Sequence, residues 1–404
     1  MFELITTFIW KYKFIFLFYL LVILLLYIKR KKLDFQAKII VLYRMKFGLK
    51  FIEKFANKFR EPTILLGYIG VGAGYVGLIF ISYVLIKNLV DLVISPAAVS
   101  GVSLVLPGVN IPGLGVLPFW YWVIAIFLIA LVHEFSHGIV ARAHKIDVKN
   151  TGIVFLGPII GAFVEPNEKQ LRKQSDIKQY SVLAAGSFSN ILLAIVALLL
   201  LNFCFMPLQE AMVEPTGFTF DEYVDGSFPF AEAGIVPGTS ITGINGEETL
   251  QFQEFSENLF CTAPGEKVIV NTEQGDYELV LAANPADSER SFMGIQQIRN
   301  EVQVKETYTH GIGKVAYYTL EWFNGMANGG KGFFFWLYLL SLGIGLFNLL
   351  PLPIVDGGRM LQITLHRVRG NKKGEKSFRK ISFFFLLVLL LTLLYPWISN
   401  LFGV

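Results

Sequence analysis

Within LIALVHEFSHGIVAR, residues 128–142, two of the chain's five histidines stand four positions apart with Glu134 and Ser136 between them. On a helix, positions i and i+4 differ by about 40° around the axis and about 6 Å along it, so His133 and His137 share a face. Two imidazoles placed this way are able to bind one Zn²⁺ at about 2.0–2.1 Å, and Glu134 lies near enough to take a proton from water at the metal. Ionisable residues in so apolar a run are expensive at membrane depth, which marks them as functional. A catalytic zinc needs a third protein ligand and an open position. The outstanding candidate is Asp356, in FNLLPLPIVDGGRM (347–360). By itself Asp356 also fits a helix cap or a glycine turn, and Glu165 is an alternative ligand, although Pro166-Asn167-Glu168 beside it reads as a surface turn. His144, His310 and His366 lie in or near expected loops and read as solvated or interfacial.

The elements that carry these residues belong to a membrane protein. The chain has 404 residues, 54% hydrophobic and 16% charged, with a mean hydropathy of +0.55. That is too apolar for a soluble domain of this size. Six segments reach the roughly 20 apolar residues that a spanning helix needs: 10–28, 63–87, 118–142, 180–203, 333–350 and 380–399. The first is read as a retained anchor, since KRKK at 29–32 follows its apolar core without a small-residue cleavage site. Residues 29–60 carry eleven basic residues against Asp34 and Glu53, 143–178 carry six, and the expected loop 367–380 carries seven, whereas 91–117 carries none. Basic loops face the cytoplasm, so both termini and the segment 204–331 are expected outside. At 1.5 Å per residue His133 lies about 22 Å below Pro118, and Asn348 lies equally deep below Phe333. There Pro351 and Pro353 break the helix, so the histidines and the segment carrying Asp356 arrive at one level, toward the cytoplasmic side of a core about 30 Å thick.

Other stretches have their own character. Between Met206 and Gly330 acidic residues outnumber basic ones, and turn signals at Gly238 and Asn245-Gly246 alternate with short strands. VIVNTEQGDYELVLA (268–282) reads as a hairpin with Gly275-Asp276 at its tip. The Pro- and Gly-studded run 99–119 is too broken to span and reads as an interfacial or re-entrant loop. TGIVFLGPIIGAFVEP (151–166) reads as a hairpin or loop against the cytoplasmic mouth. Phe47, Phe51, Phe55 and Phe59, at i+4 spacing in a basic segment, suggest an amphipathic helix on the inner leaflet, or simply charge that sets topology. Cys204 and Cys261 read as unpaired thiols.

HEFSH on one membrane helix, with NLLPLPIVDGG on a later one, resembles the site-2 protease family of intramembrane zinc metalloproteases. Six spans with an exterior insertion resemble its prokaryotic members, the archaeal ones included, and FAEAGIVPGTSITGINGEE (230–248) resembles part of a circularly permuted PDZ domain. The resemblance implies a polytopic α-helical membrane protein with an inserted small α+β PDZ-like domain. Its parts are an anchor and basic segment (1–62), a core with the histidines (63–203), the insertion (204–304), and a linker and core with the aspartate (305–404). It implies His133, His137 and Asp356 as zinc ligands, Glu134 as the base, and Asn348 as a residue holding the substrate strand. AAGSFSN (184–190) corresponds to A-G-P-x-x-N, with Ser187 in place of Pro, which makes Asn190 a further substrate-binding candidate. An unwound substrate pairs with an edge, so Gly161 in the 151–166 stretch and Pro351 and Pro353 in the broken one join that set. The expected partners are transmembrane substrates trimmed beforehand by another protease, and the bilayer itself; no nucleic-acid partner is expected. The rival readings are a metal transporter using the same ligands and a scaffold built around the PDZ-like domain.

Overall fold

The computed structural model describes residues 10, 12–36, 40–46, 48–95, 101–102, 105–108, 110–111, 113–156 and 159–402. The chain divides into two compact units, residues 1–199 with 333–404, and residues 200–332.

The first unit holds the chemistry. In chain order its helices are α1 (Lys13–Lys29), α2 (Leu49–Lys58), α3 (Arg60–Ile94), α4 (Phe119–Ala143), α5 (Asp176–Leu200), α6 (Phe333–Phe347), α7 (Asp356–Arg369) and α8 (Asn371–Phe402). Its strands β1 (Leu33–Gln36), β2 (Ile40–Met45), β3 (Val148–Leu156) and β4 (Ile159–Pro166) form one antiparallel sheet in the order β1-β2-β3-β4. Among the described residues four helices are long and apolar enough to cross a membrane: 60–94, 119–143, 176–210 and 371–395. The other two of the six expected spans are shorter helices among the described residues. The helical part of the first expected span has 17 residues, and α6 has 15. The prolines explain α6: a helix running into Pro351 loses a hydrogen bond and clashes with the preceding turn, so it ends at Phe347.

Beyond α6 the chain is irregular to Val355, and such backbone is tolerated at membrane depth only when buried in protein. Leu349, Leu350, Leu352 and Val355 are all buried there, the last three packed with Leu85 of α3 and Val388 and Leu389 of α8. The expected basic loop 367–380 is mostly helix instead. Gly370, at φ +72°, makes the turn and α8 begins at Asn371, so its basic residues ride the first turns of a long span. The segment 29–60 also differs from expectation, since β1 and β2 extend the 148–166 hairpin into a sheet before α2 begins. Helix α2 buries Ile52 and Ala56, while Phe51, Phe55 and Phe59 stay exposed with their rings in a row. Phe47 and parts of the 99–119 run lie outside the described residues; Ile111 and Leu117 of that run are buried, and Val105 O accepts from Trp122 Nε1 at 3.0 Å.

The second unit is built around an antiparallel sheet whose strands run in the order 275–280, 267–272, 241–244, 213–223, 295–304. Phe218, Phe220, Phe230, Ile241, Phe255 and Val270 are among its fully buried residues. Asn245 and Gly246 both have positive φ, as a tight hairpin turn requires. The 267–280 hairpin turns at Glu273-Gln274, not at Gly275-Asp276, because Thr272 pairs with Gly275 and its hydroxyl caps the loop at Gly275 O, 2.7 Å away. Cys204 and Cys261 are free and exposed. The contact boundary of this unit falls at Gly332, beyond the expected 304, because helix 311–324 packs back on it: Asn324 Nδ2 donates to Phe205 O and Gln209 Oε1, both at 2.8 Å.

Candidate metal centre

Helix α4 runs unbroken through HEFSH, and the i, i+4 spacing brings His133 Nε2 and His137 Nε2 to 3.2 Å. Asp356 is the first residue of α7. Its Oδ2 lies 3.2 Å from His133 Nε2 and 3.3 Å from His137 Nε2, which makes a nearly equilateral triangle. Two ligands each about 2.0–2.1 Å from a tetrahedral zinc lie about 3.3–3.4 Å apart, so the triangle fits that ion. Asp356 Oδ2 is buried and has no hydrogen-bond donor, a costly state for a carboxylate without a cation.

Glycines make room for this arrangement. A Cβ at Gly186 of α5 would fall on the Nε2 atoms of both histidines, so only a residue without a side chain leaves the triangle accessible from α5. A Cβ at Gly357 or Gly358 would overlap the backbone of Leu349 or Leu352. The two glycines after Asp356 therefore let the first turn of α7 lie directly on the broken segment, where Gly357 N–H donates to Asn348 O at 2.8 Å.

The histidines are oriented from α5. The Val182 carbonyl lies 2.7 Å from His137 Nδ1 and so fixes the proton there, leaving Nε2 for a metal. The side-chain amide of Asn190 sits 3.1 Å from His133 Nδ1. Gly138, at whose Cβ position Val164 Cγ1 would be 2.9 Å away, lets β4 approach α4. Glu134 faces this strand, and its Oε2 accepts from Val164 N–H at 3.0 Å.

Among the described residues, His133, His137 and Asp356 form the group able to hold a metal. Glu165 is not part of it: its carboxylate accepts from Asn150 Nδ2 at 3.1 Å and lies 3.6 Å from Arg44 Nε. His144 corrects the expectation of a solvated loop residue. It is buried just past the end of α4, with Nε2 3.1 Å from Ser181 Oγ, because α4 and α5 pack closely there. Burial lowers its pKa to about 4, and Lys178 and Arg60 push it the same way. Of the substrate-binding candidates, Gly161 lies on β4, Asn348 and Pro351 flank the start of the broken segment, and Pro353 is exposed in it. Asn190 is fully buried, against His133 rather than on an open edge. Reading by motif missed Gly186, Val182 and Val164. The first two share a helix face with Asn190 at i+4 spacing, a signal available in the sequence; Val164 acts through its backbone, which leaves none.

The sequence profile of Peptidase family M50 matches residues 121–393. The zinc metalloprotease RasP of Shouchella clausii is 24% identical over 280 residues, 60% of this chain and 65% of that protein. RasP of Oceanobacillus iheyensis is 23% identical over 280 residues, 59% and 64% of the two chains. An uncharacterized protein of Methanocaldococcus jannaschii is 24% identical over 318 residues, 78% and 74% of the two. The chain thus spans just under two thirds of the length of the two RasP proteins. The profile covers well over half of the chain and includes every residue of the triangle, so the protein belongs to peptidase family M50, the site-2 type zinc metalloproteases.

Proposed function

We propose that the protein is an intramembrane zinc metalloprotease that cleaves transmembrane segments of single-span substrates near the cytoplasmic side. The observation that carries this is the triangle of His133, His137 and Asp356, with Glu134 facing a strand that ends its sheet. Zinc, when bound by the three ligands, supplies a Lewis acid for the scissile carbonyl and brings the pKa of a water to about 7. Glu134 takes the proton of the attacking water and passes it to the leaving amine.

The substrate must first expose a carbonyl that its own helix hides. Strand β4 pairs with β3 on one side and with no strand on the other among the described residues. Val164 N–H bonds to Glu134, so it does not serve the β3 ladder. In an antiparallel pair the outward groups recur every second residue, so the N–H and C=O groups of Ala162 and Ile160 also face away from β3. An unwound substrate segment added at this edge would lie beside the base. Water reaches such a site through polar space, and a cavity of about 640 Å³ lies between α5 and α7, lined in part by Asp176, Gln179, Leu183, Arg359 and Gln362. Leu183 adjoins the residue that orients His137, and Arg359 is one turn from Asp356.

The charge pattern supports placing the basic segments in the cytoplasm and both termini and the PDZ-like insertion outside. On that side the insertion acts as a size filter, passing substrates that another protease has trimmed. Glu134→Gln should retain one zinc per chain and lose cleavage of a helix-containing substrate in detergent by at least about 100-fold, within the range of general-base effects. Asp356→Ala should lose the metal. Unchanged cleavage in the first variant, or full zinc in the second, overturns the assignment.

A further inference from the structure

We infer that Asn190 is a positioning residue that holds the proton of His133 on Nδ1 before the metal arrives; this rests on the metal site proposed above. A neutral imidazole carries one proton, and a metal at Nε2 requires that proton on Nδ1. His137 meets this requirement without a side chain, because the Val182 carbonyl at its Nδ1 can only accept. His133 depends on Asn190. The amide Nδ2 lies 3.1 Å from His133 Nδ1, and in that orientation two donors would face each other once Nε2 is free for zinc. Meanwhile Asn190 Oδ1 is buried with no donor. Turning the amide by half a rotation resolves both conflicts: Oδ1 accepts from His133 Nδ1–H, and the orphaned acceptor gains its partner. The displaced NH₂ group then shares its helix face with Ser187 Oγ, a buried hydroxyl that also has no partner.

The surroundings hold Asn190 for this task. Ser341 Oγ of α6 donates to Asn190 O at 2.7 Å, and a Cβ on Gly345 would approach Asn190 Cβ to 3.1 Å. The residue, on α5, is therefore clamped between α6 and His133 of α4, with its amide fully buried. An amide so placed has no path to a substrate strand, and the group it touches is a ligand. Orienting partners of metal-bound histidines are generally worth about 10–100-fold in metal affinity.

The test uses the full-length chain in detergent. Zinc affinity is measured by chelator competition for the wild type, Asn190→Leu and Asn190→Asp. The leucine variant keeps the branched outline and loses the acceptor; it should bind zinc about 10–100-fold more weakly. The aspartate variant keeps an acceptor and should stay near the wild type. A leucine variant with wild-type affinity, or an aspartate variant as weak as leucine, overturns the role of Asn190. A wild type that holds no zinc instead overturns the metalloprotease reading. Should the leucine variant fail to fold, the ¹⁵N spectrum of histidine-labelled wild type without metal decides the matter, with His133 identified through His133→Gln. A protonated, pyrrole-type Nδ1 at His133 supports the inference, and a pyridine-type Nδ1 overturns it.

Discussion

At the scale of single residues the metal centre depends as much on missing atoms as on ligands. Gly186 stands on a long helix where alanine would be the better helix former by up to about 1 kcal/mol. Its value lies in the space over His133 and His137, which any Cβ would occupy. Gly186→Ala is therefore expected to reduce zinc content at least about tenfold, read by metal analysis of the purified chain, and to lower thermal stability, since the clash with both rings outweighs the gain in helix propensity. A variant with full zinc would mean that the metal approaches from elsewhere. This residue also shows where motif reading stops. HEFSH and Asp356 were legible because charged groups in an apolar chain are conspicuous and their spacing has few other uses. A glycine among the small residues of AAGSFSN is marked only by its i+4 spacing to Asn190, and the packing of α5 on α4 gives that spacing its meaning.

At the scale of elements, the hairpin expected over 151–166 is present, and its second strand closes the sheet. Ala162→Pro would remove one outward N–H from β4 and leave the ladder to β3 in place, since proline is accepted where the N–H faces away from the partner. We expect cleavage to fall at least about tenfold with zinc content unchanged, in line with the loss of one hydrogen bond at a buried site. Equal kcat/KM for variant and wild type would place the substrate strand elsewhere. The contribution of β1 and β2 to the sheet was not legible. Their residues sit in a strongly basic segment whose charges suggested a membrane-surface helix, and pairing with β3 depends on a register that only the folded chain displays. The break after α6 was legible from Pro351 and Pro353, whereas the helical character of 371–380 was hidden behind its lysines.

At the scale of the molecule, the inserted unit is closed on itself. Its first and last long strands pair from Val213↔Val304 onward, and Lys305 N–H donates to Met212 O at 3.0 Å. The two ends of the insertion are therefore hydrogen-bonded neighbours, and a short turn can replace residues 213–304 without stretching the chain. If the insertion filters substrates by size as proposed, such an excised protein should bind zinc as before and gain cleavage of substrates with bulky domains relative to the full chain. An unchanged preference for trimmed substrates would remove the size-filter role. The turns of this unit were legible in part: Asn245-Gly246 turns where expected, while the other hairpin turns two residues early because a threonine side chain closes it.

The contact between Glu134 and the Val164 amide couples two properties that are usually independent. The carboxylate proposed to accept a proton is steadied by the backbone of the strand proposed to receive the peptide. If that strand melts or shifts register, the base loses its donor at the same moment that the peptide loses its template. Competence would then be a logical conjunction in one hydrogen bond: no ordered edge, no poised base. A protease built this way has an inherent safeguard against idle hydrolysis, because the chain's own disorder disarms it.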